Sequence, residues 1–136
     1  MIFEDGLHLV VKKDCPTCRL IEPIIRVLSK SKKLVIYVQD DPAYLADLVG
    51  QQDDTTLENS FHLDIETVPT LLSFEAGQET DRAIGWHRGE WQDVTNVKLL
   101  GQGLPELQPG CGSKSVQPGL EEALRVRFGE TGIISR

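Results

Sequence analysis

The sequence predicts an α/β domain over residues 1–100, a mixed sheet in the order β-α-β-α-β-β-α flanked by helices, followed by a loop-rich extension over 101–136. Three observations carry this. Short β-branched runs alternate with segments of helical apolar spacing, the pattern of a sheet covered by helices. The runs Val68–Phe74 and Glu79–Ile84 are joined by Glu75-Ala76-Gly77-Gln78, a hairpin signal. Beyond residue 100, Gly101, Gly103, Pro105, Pro109, Gly110, Gly112, Pro118 and Gly119 change the composition to that of loops.

The elements follow in order. The apolar run Leu7-His8-Leu9-Val10-Val11 predicts the first strand. Asp14 suits a helix N-cap and Pro16 the first helical turn, where a missing N–H costs nothing. Leu20, Ile21, Ile24, Ile25 and Leu28 form one buried helical stripe, which Pro23 should kink. Leu34-Val35-Ile36-Tyr37-Val38 reads as a buried strand ended by Asp40-Asp41-Pro42. A second helix is expected from Ala43 to Gly50, with Tyr44, Leu45, Leu48 and Val49 on one side. Gln51–Asp54 then reads as a polar interruption, and Thr56–Phe61 as a further helical turn. The third strand spans Val68–Phe74, the fourth returns over Glu79–Ile84 to Gly85, and Glu90–Leu100 is an amphipathic helix. In the extension, Leu120–Phe128 predicts a short helix closed by Gly129, and the ending Gly132–Arg136 is strand-like. There is no internal repeat.

Composition narrows the function classes. With 40% hydrophobic and 26% charged residues, the chain can bury an ordinary core. A net charge of −7 argues against a nucleic-acid partner, which would demand a basic face for the phosphates. No run approaches the roughly 18 apolar residues that span a bilayer, so no membrane partner is expected. The acidic start Met1–Gly6 lacks the features of a secretory signal, which leads to the expectation of a cytoplasmic chain. Three cysteines, two of them spaced C-x-x-C, do not form the even framework of a small secreted protein.

Cys15-Pro16-Thr17-Cys18 lies at the first strand-to-helix junction. Such a pair can close a disulfide within one helical turn, bind a metal, or be incidental. Thiol chemistry assigns roles by position. A thiolate at a helix start is favoured by the unpaired N–H groups, so Cys15 is the candidate nucleophile. Cys18, one turn inward and shielded, is the candidate resolving thiol that attacks a mixed disulfide.

From about Leu7 to Leu100 the chain resembles the thioredoxin family. The resemblance rests on Cys15-Pro16-Thr17-Cys18, Pro23 in the following helix, Asp40-Asp41-Pro42 after a strand, Val68-Pro69-Thr70-Leu71-Leu72, and Phe74, Gly77 and Gly85 in and beyond the hairpin. It implies that Pro69 is cis and packs against the sulfurs, and that Val68 offers its backbone to an extended substrate peptide. The sequence also departs from the family. Asp14 stands where an aromatic residue usually precedes the first cysteine, and its charge should disfavour the Cys15 thiolate. Leu9 stands where the family keeps a buried acid. Pro-Thr replaces the thioredoxin Gly-Pro, which is closer to glutaredoxins. Glu22, on the helical face of both cysteines, is a candidate substitute proton carrier, against its reading as a solvated carboxylate. Trp86, after Gly85, is a candidate aromatic cover for the sulfurs, against its reading as ordinary packing.

Cys111, in Pro109-Gly110-Cys111-Gly112-Ser113-Lys114, is either a third redox thiol whose thiolate Lys114 favours, or an incidental loop cysteine. Zinc held by Cys15, Cys18, Cys111 and one of His8, His62 or His87 is disfavoured, because structural zinc usually takes two short-spaced pairs and only one exists. No metal and no organic cofactor is expected. Gly101-x-Gly103 lacks the lysine of a phosphate loop. The pairs Asp40/Asp41, Asp53/Asp54 and Glu121/Glu122 read as turn, solvent and helix-start charges. The function expected is thiol–disulfide exchange on a protein disulfide, reductive in direction, with an unidentified reductase or thiol partner. The alternative is a binding or adaptor domain whose cysteines are structural or vestigial.

Overall fold

Strand β1 (Gly6–Val11) takes the centre of the sheet because its side chains are apolar toward both faces: Leu9, Val10 and Val11 are all fully buried. The computed structural model describes residues 1–129, so the strand-like ending Gly132–Arg136 lies outside the described residues. β1 runs parallel to β2 (Leu34–Val38), with Leu9 opposite Ile36. It runs antiparallel to β5 (Thr70–Glu75), with Leu9 opposite Leu71. β3 (Gln51–Asp53) adds in parallel outside β2, and β6 (Gln78–Ile84) antiparallel outside β5. The result is a mixed five-stranded sheet in the order β3-β2-β1-β5-β6, flanked by helices. The hairpin between β5 and β6 turns at Ala76 and Gly77, both at positive φ (53° and 77°), the backbone hand that two-residue hairpin turns prefer.

The helix expected after Asp14 is two helices. α1 (Pro16–Leu20) and α2 (Glu22–Ser31) meet at Ile21, whose backbone (φ −95°, ψ 9°) leaves the helical region. Pro23 therefore falls in the first turn of α2, where its N–H would have had no partner. In the apolar stripe Ile21, Ile25 and Leu28 are fully buried, and Leu20 at its edge is partly exposed.

The helix expected over Ala43–Gly50 is not formed. Leu45 adopts a left-handed backbone (φ 59°), so the segment closes by turn bonds such as Leu48 N to Leu45 O (3.0 Å) instead of helical ones. Tyr44 and Leu45 are buried, but Val49 is fully exposed. Gly50 lies so close to the Leu34 carbonyl that no side chain fits there, and its own carbonyl accepts from Ile36 N at 2.8 Å. That contact delivers Gln51–Asp53 to the sheet edge as β3, where a polar interruption was expected. Asp54 is not a solvent charge either. It is fully buried, and its carboxylate accepts from the backbone N–H groups of Asn59 and Ser60 and from both their side chains. It thereby satisfies the open N–H groups of α3 (Glu58–His62).

The third strand is divided by Pro69: β4 (Thr67–Val68) leaves the main sheet, and only Thr70 onward pairs with β1. After β6 come β7 (Trp86–His87) and α4 (Arg88–Thr95), which stops five residues before the expected Leu100 because Asn96 turns left-handed (φ 59°).

Beyond residue 100 the chain is rich in loops as expected, with two short ladders added to them. β8 (Leu107–Gln108) pairs with β7, and β9 (Cys111–Gly112) pairs with β4. Helix α5 (Leu120–Phe128), closed by Gly129, forms as read and packs on α3, with Phe128 against Phe61. Gln39 pins this extension from within. Fully buried, its amide donates to Ser60 Oγ (2.9 Å) and Ser113 Oγ (2.7 Å) and accepts from Lys114 N (2.9 Å). Because Gln39→Ala strands these buried partners, it should lower unfolding free energy by about 2 kcal/mol. Urea denaturation checks this, the midpoint falling at unchanged slope. Among the described residues no helix is long and apolar enough to cross a membrane.

Candidate active site

The site begins where β1 ends. Asp40, at the end of β2, accepts through its two carboxylate oxygens from Lys13 N (2.7 Å) and Asp14 N (2.9 Å), which holds the turn between β1 and α1. The turn places Cys15, not Asp14, at the N-cap of α1. Its backbone is extended (φ −156°, ψ 108°), and its Sγ accepts from Cys18 N at 3.2 Å. A sulfur here does what a Ser or Asp oxygen does at an ordinary cap, and gains from it a donor aimed at its charge.

The electrostatics separate the two thiols. The Cys15 thiol is lowered from 9.0 to about 6. A hydrogen bond from the Cys18 thiol does most of this, helped by the Cys111 thiol and the N–H groups of Cys18 and Thr17, while burial works against it. Cys18 is pushed strongly upward, first by burial and then by holding its proton for Cys15. The net shift of Cys15 is downward, with the Asp14 charge that was expected to hold back the thiolate close by in sequence. Asp14 is exposed, and the donors converging on the sulfur prevail.

Cys15 and Cys18 are both fully buried. Cys15 Sγ lies 3.7 Å from the Val68 carbonyl, to which it donates as a thiol, and the Val68–Pro69 peptide bond is cis. Val68 does not hold its backbone open as expected. β9 occupies that edge, Val68 opposite Cys111 and Thr67 opposite Gly112. A side chain at Gly110 would collide with the Val68 carbonyl, so only glycine allows this approach. Thr17 Oγ1 donates to Pro109 O (2.5 Å) and Lys12 Nζ to Gly112 O (2.8 Å), fastening the strand on both sides of Cys111.

Cys111 is thus a half-buried strand residue against Cys15, not a cysteine in an open loop. Its thiol is raised, mainly by burial and then by the bond it donates to Cys15, the reverse of the expectation from Lys114. The backbone N–H of Lys114 is instead engaged with Gln39.

Glu22 is half-buried and accepts from the Tyr44 hydroxyl at 2.9 Å. The Tyr44 hydroxyl is itself raised, first by burial, then by Glu22, and further by the charges of Cys18 and Cys15 nearby. Leu9 is buried in the central strand with no acid in its place. Trp86 faces the extension: its indole N–H donates to Pro105 O (2.7 Å), its ring packs edge-on against Trp91 at 5.2 Å, and Gly101 lies against it. Its place is that of a packing aromatic that docks residues 101–105.

The histidines are engaged elsewhere. His8 bonds the Tyr37 hydroxyl (2.9 Å) and the Glu4 carbonyl (2.7 Å), and His87 caps α4. Among the described residues no group of three or more His, Cys, Asp or Glu side chains is arranged to hold a metal ion. Four residues that position the site were given no site role from the sequence: Asp40, Gln39, Thr17 and Tyr44. The polar residues that close the buried strand, Gln39 with Asp40-Asp41-Pro42, were the available signal for the first two. No protein-family model matches this sequence, and a search of curated proteins finds no match either.

Proposed function

We propose that the chain is a thioredoxin-like thiol–disulfide oxidoreductase acting on a protein disulfide. The observation that carries this is the Cys15 sulfur, N-capping α1 and accepting a hydrogen bond from Cys18 N beside a cis proline. In the first step the Cys15 thiolate attacks one sulfur of the substrate disulfide and the other leaves as a thiolate that takes up a proton. In the second, Cys18 gives up its proton and attacks Cys15 Sγ, releasing the second substrate thiol and closing a Cys15–Cys18 disulfide. The raised Cys18 thiol suits the second role, since it stays protonated until the mixed disulfide has removed the charge from Cys15. A thiol partner or a reductase then restores the pair. The cytoplasmic expectation makes the direction reductive, and no organic cofactor enters the scheme. The C-x-x-C after a central strand, the helix break ahead of Pro23, and Pro69 leading an antiparallel strand are the features that support the thioredoxin-like reading.

One observation favours a second reading, an adaptor domain with structural cysteines: both thiols are fully buried, and the chain's own β9 holds the edge at Val68. Reduction of insulin by dithiothreitol decides between them. The exchange reading expects acceleration by the wild type and none by Cys15→Ser, and equal rates for the two overturn it.

A further inference from the structure

The segment Pro109–Ser113 crosses the site as a strand fastened on both sides of Cys111. Pro109 O accepts from Thr17, Cys111 pairs with Val68, Gly112 O accepts from Lys12, and Ser113 N donates to Glu66 O at 3.0 Å. Strand pairing of this kind is how an extended peptide is held on an open sheet edge. Here the peptide is the chain's own, and it sets Cys111 opposite Val68, whose carbonyl lies 3.7 Å from the Cys15 sulfur, close enough for the Cys111 thiol to bear on the Cys15 charge. We propose that Cys111 is the third thiol of the redox centre, carried on a built-in strand in the place of a substrate strand, and that it exchanges disulfide with Cys15. This deepens the oxidoreductase reading and rests on it only for the origin of the disulfide.

The step balances without an outside oxidant. In the Cys15–Cys18 disulfide, the Cys111 thiolate attacks Cys15 Sγ, a Cys15–Cys111 bond forms and the Cys15–Cys18 bond breaks. The electron pair leaves on Cys18 Sγ, which takes up the proton that Cys111 gave up. Cys111 is oxidised and Cys18 reduced. The disulfide has then moved from two fully buried sulfurs to one that includes the half-buried Cys111. An external thiol attacking there expels Cys15, the better leaving thiolate. The substrate class for this outlet is therefore a thiol, small or on a protein.

The test uses the full chain with Cys18→Ser, reduced and then exposed to oxidised glutathione, with disulfides mapped by mass spectrometry after alkylation. Cys15 first takes one glutathione and releases the other. Cys111 should then attack Cys15 Sγ and release the second, leaving a Cys15–Cys111 disulfide with no glutathione retained. Glutathione held on Cys15 with Cys111 alkylated overturns the proposal. Adding Gly110→Val, which forces the strand off Val68, should restore the glutathione adduct, and closure unaffected by it overturns the strand's role. Should Cys18→Ser fail to fold by circular dichroism, the oxidised wild type is quenched and mapped: a Cys15–Cys111 fraction supports the exchange, and its absence overturns it. Insulin reduction plays no part in this readout, so failure there with Cys15–Cys111 closure present removes the reductase reading alone.

Discussion

Below pH of about 6, reaction of the reduced protein with a chromogenic disulfide such as dithiodipyridine is expected to slow about tenfold per pH unit, and Cys15→Ser to remove this component at every pH. The sign follows from the thiolate being the nucleophile. Cys15 is lowered from 9.0 to about 6 in the folded chain, so it stays ionised at neutral pH and is lost only as the medium falls through about 6. An ordinary thiol would already lose thiolate throughout the neutral range. Free glutathione run in parallel removes the pH dependence of the reagent itself. The same linkage bears on stability. Folding favours the Cys15 thiolate, so its contribution is complete above pH 9.0, diminishes between there and about 6, and is absent below. Cys18 carries the opposite sign: its thiolate is disfavoured on folding, so alkaline pH above its ordinary value destabilises. Cys111→Ala, which removes a group that lowers Cys15 and puts no donor in its place, should move the reactive midpoint of Cys15 upward. A midpoint near 9 in the wild type would show that the donors converging on Cys15 do not act as the geometry says.

The parts of this arrangement that were legible in the sequence are those governed by local rules. The central strand shows as an unbroken apolar run, the hairpin as Ala76-Gly77 between two strands, and the last helix as a short span stopped by Gly129. Cys15 and Cys18 announce themselves by spacing. What was not legible depends on contacts distant in sequence. Residues 43–50 have helical spacing, but Leu45 turns left-handed and Gly50 must pass the Leu34 carbonyl, so tertiary fit overrides local pattern. Gln51–Asp53 is polar because an edge strand has only one neighbour and open flanks. Gly110 and Gly112 look like loop residues, yet Gly110 is glycine because a backbone passes beside Val68. Asp54 and Gln39 have the composition of surface residues and are buried because each meets several polar partners at once. The misread cap has the same origin. Asp14 is the better cap by type, but Asp40 captures its N–H, and the helix starts one residue later on a sulfur.

Trp86→Ala should be the most damaging packing change, lowering stability by about 3–5 kcal/mol, the range for emptying a fully buried large aromatic site. Three supports fail together. The indole N–H no longer meets Pro105 O, Trp91 loses its edge-on neighbour, and Gly101, whose place against the ring excludes a side chain, faces a void. A melting temperature lower by on the order of 10 °C is expected. The damage should also reach the redox centre by a defined route. Residues 101–105 dock on Trp86, β8 pairs with the strand that contains it, and β8 leads directly into Pro109 and Cys111. Loosening that anchor should free β9 from Val68, so Cys111 should be alkylated faster at temperatures where the sheet is still folded by circular dichroism. Trp86→Phe separates the contributions, since it keeps most of the ring and loses the bond to Pro105, for a cost of about 1 kcal/mol. If Trp86→Ala lowers the melting temperature while Cys111 stays as protected as in the wild type, the extension holds its seat through Gln39, Ser113 and Thr17 without help from the tryptophan.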